Sequence, residues 1–176
     1  MLRIAICDDE PQYVQQITNF VQEYLHGHPE LSGQVHSFSL GRELLYQAEE
    51  SGGFDLYLLD IIMPGLNGIQ TGRQLRQLGD GGEIVYLTTS PDYAVDSYSV
   101  RAFFYLLKPL EKGRLFEVLD ATVKKLNDRR SKAVLIATRE GPRRLLLDQI
   151  LYVERVGRSL RYFCSGGAVD SLSLRV

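Results

Sequence analysis

Apolar residues fall along the chain in two alternating textures as far as residue 128. Short β-type runs occur at Arg3–Cys7, Gln34–Phe38, Phe54–Leu59, Glu83–Thr88 and Ala102–Leu107. Between them lie longer stretches with helical spacing. From Tyr13 to Leu25 the spacing is set by Val14, Ile17, Val21 and Leu25, and Pro11 is placed to open that helix at its first turn. Arg42–Glu49 carries Leu44, Leu45 and Ala48, and a helix after Asn67, a residue suited to capping, carries Ile69, Leu75 and Leu78. A short helix is expected after Ser90-Pro91-Asp92, with Tyr93, Ala94 and Tyr98 inward. Glu111–Asp128 forms the last, with Leu115, Val118, Leu119, Ala121, Val123 and Leu126 on one broad face. The run at 54–59 is almost continuously apolar, as in a strand buried on both faces. Five strands alternating with five helices predict an α/β fold with an open, doubly wound parallel sheet.

Beyond Arg129-Arg130-Ser131-Lys132 the long helical period stops. Val134–Thr138, Arg144–Leu147, Ile150–Val153 and Leu160–Phe163 are short strand-like runs parted by glycines and charges, which predicts a small all-β unit. Charge divides along the same line. Residues 1–122 hold 8 basic and 17 acidic side chains, whereas residues 123–176 hold 12 and 5. A basic half suits nucleic-acid binding, and equally an ordinary solvated surface. At 44% hydrophobic residues the chain can build a core, and no apolar run is long enough to span a bilayer. Arg3, Asp8 and Asp9 argue against a signal peptide, so a cytoplasmic protein with no membrane partner is expected. Cys7 and Cys164 read as reduced core thiols. The glycines at 52–53 and 79–82 read as turns, and His26, His28 and His36 lack metal-ligand spacing.

The candidate chemistry lies at strand ends. The first strand ends in Asp8-Asp9, the third in Asp60, the fourth in Thr88-Thr89 and the fifth in Lys108. On a parallel sheet these converge on one edge, the usual place for function in such folds. Crowded carboxylates repel, and a hard divalent cation such as Mg2+ relieves that. Asp60 could then be a nucleophile toward a phosphoryl group, with Lys108 and a threonine hydroxyl holding its oxygens. Singly, each residue has a plainer reading: a helix cap for the acid pair, a turn for Asp60, a strand former for Thr88, a surface charge for Lys108. Only the four ends together point to an acyl-phosphate site.

Together the segments ICDDE at 6–10, DLYLLDIIMPGLNGI at 55–69, YLTTS at 86–90 and FFYLLKP at 103–109 resemble the receiver domain of two-component response regulators. The resemblance covers about residues 1–128 and implies a flavodoxin-like fold. It implies Asp60 as phosphoacceptor, and a Mg2+ site made by Asp9, Asp60 and the backbone carbonyl of Ile62, with Asp8 acting through water. Thr88 would be the switch hydroxyl, Tyr105 the switch aromatic and Lys108 the conserved-type lysine of the site. Phe104 stands where a polar residue is common, making the switch face unusually apolar. A sensor histidine kinase would donate the phosphoryl group. The response would remodel a face including Tyr93, Tyr98 and Phe103 and promote a homodimer.

After a linker at 129–132, residues 133–176 resemble the opening of a LytTR-type DNA-binding domain, above all LLLDQILYVERVGR at 145–158. The later strands of such a domain, with much of its DNA-contacting surface, find no counterpart, so the unit is expected to be incomplete. Arg143, Arg144, Arg155, Arg158 and Arg161 are candidate DNA phosphate contacts as a set, while any one of them alone reads first as a charge on a solvated face. Two readings stand: a phosphorylation-controlled transcription regulator, or a phospho-switch that dimerises without binding DNA. An aspartyl-phosphate phosphatase needs a second acid two residues past the nucleophile, and Ile62 occupies that place, so no enzyme is expected.

Overall fold

The computed structural model describes residues 1–93 and 100–172, and only the backbone of 129–131. The short helix expected after Pro91, including Ala94 and Tyr98, falls largely outside the described residues.

Five strands form one sheet: β1 (Leu2–Cys7), β2 (Gly33–Phe38), β3 (Leu56–Asp60), β4 (Glu83–Thr88) and β5 (Phe104–Leu107). Their order is β2-β1-β3-β4-β5 and every pairing is parallel. Among the described residues the sheet's helices are α1 (Pro11–Gly27), α2 (Gly41–Ser51), α3 (Gly68–Gln77) and α4 (Lys112–Ser131). This is the flavodoxin-like, doubly wound arrangement, and it carries the expected α/β fold class.

Alternation along the strands divides two cores. Ala5, Cys7, Tyr57, Leu59, Ile84 and Tyr86 join Leu44, Leu45 and Ala48 of α2 and Ile69 and Leu75 of α3 in one buried cluster. Ile4, Ile6, Leu56, Leu58, Val85 and Leu87, of the opposite parity, are equally buried and point to the other face. On α1, Ile17, Val21 and Tyr24 are the buried positions; Tyr24, one residue before the expected Leu25, donates its hydroxyl to Asp120 of α4 at 2.7 Å. Leu78, expected on the inner face of α3, is instead its C-cap and is half exposed.

Local chemistry fixes where the helices begin. Pro11 occupies the first turn of α1. Asn67 forms a capping box on α3: its side chain accepts from the Gln70 N–H at 2.8 Å, while Gln70 accepts from the Asn67 N–H at 3.1 Å. Gly68 is required there, because a Cβ would strike the Asp60 carbonyl. The helix start is thereby pressed against the end of β3.

The chain divides into two compact units, Met1–Thr122 and the part from Val123 onward, with α4 running through the division. In the second unit β6 (Ala133–Thr138) pairs antiparallel with β7 (Gly141–Leu146). A 3-10 turn at Leu147–Gln149 leads to a sheet of β8 (Ile150–Val156), β9 (Ser159–Cys164) and β10 (Gly167–Asp170) in the order β10-β9-β8. The hairpins turn on Arg139-Glu140, Gly157-Arg158 and Ser165-Gly166. Gly157 supplies a positive φ of 63°, as tight hairpins demand. Ile136, Leu145 and Val169 form the core of this unit, with Tyr162 and Cys164 packed on it. Both cysteines are free, Cys7 buried and Cys164 half-buried.

Candidate phosphoacceptor site

The carboxyl ends of β1, β3, β4 and β5 bring Asp8, Asp9, Asp60, Thr88 and Lys108 to one edge of the sheet. The register sets the positions: Cys7 pairs with Leu59, so Asp8 and Asp60 leave their strands side by side, while Asp60 pairs with Leu87 and Thr88 with Leu107, so Thr88 and Lys108 follow one and two residues further along. Asp8, Asp9 and Asp60 place carboxylate oxygens within 4.8 Å of one another.

Lys108 answers part of this negative charge. Its Nζ lies 2.7 Å from Asp8 Oδ2 and 3.4 Å from Asp60 Oδ1, with all three side chains buried. Among the described residues neither of those oxygens accepts a hydrogen bond from any other group. The other oxygen of Asp8 accepts from the Glu10 N–H at 3.0 Å. Burial pushes the Asp60 carboxyl up to about 6, against the pull of Lys108. Burial raises Asp8 as well, opposed by its bond to Lys108. Three carboxylates against one ammonium leave a formal deficit of two positive charges. The donor set is all hard oxygen, so it fits a Mg2+ ion. Asp8, Asp9, Asp60 and the Ile62 carbonyl would hold it. Ile62 itself lies on the half-exposed turn after β3, where the Ile61 carbonyl is already taken by the Met63 and Gly68 N–H groups.

Thr88 is fully buried, and its Oγ1 faces the Ser90 N–H at 3.4 Å. Tyr105, half-buried on β5, donates its hydroxyl to the Ser90 carbonyl. Ser90 therefore touches both residues expected to act in switching. Its own hydroxyl bonds Asp92 at 2.9 Å and fixes the start of the loop after β4.

Three features of the site escaped the sequence reading. The ring of Tyr13, in the first turn of α1, lies under Lys108, with Nζ 4.0 Å from the ring centroid. Cys7 Sγ approaches Met63 Sδ at 3.7 Å, tying β1 to the turn after β3, and burial pushes that thiol up to about 12. The Lys108–Pro109 peptide is cis. The position of Tyr13, four residues past the second acid at the opening of a helix, is the signal that could have found the first.

The arginine candidates lie in the second unit, away from this constellation in sequence. Arg143, Arg144, Arg155 and Arg158 are exposed. Arg161 forms a bidentate pair with Asp170 at 2.6 and 2.8 Å across β9 and β10. Arg139, Arg143 and Arg161 line a cleft of about 590 Å3 together with Glu140 and Asp170.

A parallel doubly wound sheet with acids, threonine and lysine gathered at its carboxyl edge defines a receiver-type signalling domain. The family model for the response regulator receiver domain matches residues 4–120, and the chain belongs to that family. Sensory transduction protein LytR of Streptococcus mutans is 32% identical over 126 residues, covering 71% of this chain and 49% of LytR. The positive alginate biosynthesis regulatory protein of Pseudomonas aeruginosa is 31% identical over 118 residues, 67% of this chain and 46% of that protein. The chain thus spans about half the length of these curated relatives. Among solved structures, response regulator protein TrrA of Thermotoga maritima, in complex with Mg(2+)-BeF, is 30% identical with a TM-score of 0.57. That match covers 72% of this chain and 99% of TrrA. No helix among the described residues is long and apolar enough to cross a membrane.

Proposed function

We propose that this chain is a phosphorylation-activated response regulator whose phosphoacceptor is Asp60 and whose donor is a sensor histidine kinase. The observation that carries the reading is the placement of Lys108 between Asp8 and Asp60 inside a cluster of three carboxylates. A lysine and a cation site around one buried carboxylate are what attack on phosphorus requires. An Asp60 oxygen forms a bond to the phosphorus of a phosphohistidine as the P–N bond breaks. The electron pair returns to the imidazole nitrogen, and an acyl phosphate remains. Mg2+, when bound, neutralises the oxygens of the transferred group. Lys108 holds one of those oxygens and Thr88 another.

The new phosphoryl oxygens draw Thr88 away from the Ser90 N–H. Tyr105 is bonded to the carbonyl of the same Ser90, so both ends of the rearrangement meet at one residue. Reversing a 1:99 equilibrium takes about 5.5 kcal/mol, within reach of a few charge-assisted bonds. The remodelled face, with Phe103 and the half-exposed Leu107, supports a homodimer.

The output is transcription control through a LytTR-type unit that opens at residue 133. The names of the relatives support a role in signal transduction and regulation, and the β-rich texture and basic balance after residue 122 support a DNA-directed output. Arg143, Arg144, Arg155 and Arg158 are exposed, and with Arg161, which is paired with Asp170, they are the candidate contacts to DNA phosphates. A cytoplasmic location goes with this role.

Beryllium fluoride, an acyl-phosphate mimic, tests the site. Adding it with Mg2+ is expected to raise the thermal midpoint of the wild type and leave Asp60→Asn unmoved. An equal shift in both proteins, or none in either, would sink the assignment.

A further inference from the structure

We infer that Tyr13 is a positioning residue for Lys108, holding the ammonium between Asp8 and Asp60 through the face of its ring. The inference rests on the phosphoacceptor reading of Asp60 and adds a residue to it.

A lysine ammonium carries three N–H donors and is costly to bury unless each finds a partner. Lys108 is buried to its tip. Two sides of its ammonium are taken by Asp8 Oδ2 at 2.7 Å and Asp60 Oδ1 at 3.4 Å. A third is taken by the Tyr13 ring, whose centroid is 4.0 Å from Nζ. An aromatic face is negative and attracts a cation at this distance, more strongly when water is excluded. Unlike a third carboxylate, it adds no formal charge to a site that already has three. The ring can therefore hold the ammonium without competing with a phosphoryl oxygen for it.

The fold places this ring deliberately close. Pro11 starts α1 two residues after Asp9, and the Tyr13 N–H bonds the Glu10 carbonyl at 3.0 Å. Tyr13 thus sits in the first turn of a helix that springs from the acid pair, and it is half-buried. A lysine stem is long and rotamer-rich, and a ring that restricts it leaves less freedom to be lost when the phosphoryl group arrives.

The test is a graded series at position 13 in the whole chain, with two readouts. Rates of Asp60 phosphorylation by acetyl phosphate and Mg2+ report function. Ring-current shifts of the Lys108 ε-methylene protons report contact in the unphosphorylated protein. Tyr13→Phe keeps the face and is expected to react within about twofold of the wild type, with the upfield shift retained. Tyr13→Leu is expected to lose the shift and react about fivefold more slowly, a difference of ~1 kcal/mol. Pentafluorophenylalanine at position 13 keeps the size of a ring and abolishes its negative face. It is expected to fall with leucine, which also covers a leucine variant that fails to fold. Equal rates for the phenylalanine and pentafluorophenylalanine proteins would overturn the inference while leaving the phosphoacceptor reading intact. No adduct even in the wild type would overturn that reading, and with it any role for Tyr13 in phosphoryl transfer.

Discussion

Strand β3 and strand β8 are both short apolar runs, yet β3 is buried at every position while β8 is exposed at six of its seven. The difference lies in what surrounds them. β3 is paired on both sides, by β1 and β4, and its side chains enter cores on both faces of the sheet. Among the described residues β8 pairs with β9 alone, and Leu151, Tyr152, Val153 and Val156 keep 44–69% of their surface. An apolar run thus specifies a strand, while its neighbours decide whether burial follows. Charge follows the same division, with a deficit before residue 123 and an excess after it. In the first unit the closest carboxylates are buried around a lysine; in the second, exposed arginines stand on hairpins.

The comparison can be broken at its strongest point first. Lys108→Ala strands two buried carboxylates and is expected to cost about 3–5 kcal/mol in metal-free protein. Urea unfolding in chelator, then with Mg2+, should show much of that loss restored by the ion. A loss that the ion does not touch would detach Lys108 from the cation site.

Ile84→Ala in buried β4 is expected to cost about 2–5 kcal/mol by the same measurement. Leu151→Ala in β8 should stay within about 0.5 kcal/mol. A large effect at Leu151 would mean that β8 is covered in solution.

Asp60 gives an effect of intermediate size and opposite sign. Its carboxyl is raised to about 6 in the folded chain, so between its ordinary value and that point the folded state binds more protons than the unfolded. Stability of the metal-free protein therefore falls as pH rises through this window and is greatest at its acid end. The contribution is roughly 1–3 kcal/mol. Asp60→Asn should stabilise the metal-free protein at pH 7 by a similar amount and flatten its stability profile between pH 4 and 7. A steeper profile in the variant would contradict the burial account.

How much of this could be read beforehand varies with how local the cause is. β3 and β4 are legible because sheet strands buried on both faces are apolar throughout, and Pro11 and Asn67 punctuate their helices as local chemistry requires. β10 was missed because Gly167-Ala168-Val169-Asp170 offers one sizeable apolar side chain, Val169, and no alternation to count. Tyr24 took the buried place expected of Leu25 because its phenol reaches Asp120, 96 residues away. The acids, Thr88 and Lys108 could be gathered from topology alone, since parallel strands end on one edge. The stacking of Tyr13 on Lys108 and the pairing of Arg161 with Asp170 could not, because each depends on side-chain direction after folding.

Treating wild-type and Asp60→Asn protein with acetyl phosphate and Mg2+, and following intact mass, tests the central claim most directly. The account predicts one base-labile phosphoryl adduct in the wild type, absent from the variant and absent when Mg2+ is chelated. An adduct that persists in Asp60→Asn, or none in the wild type where a known receiver reacts, would contradict it.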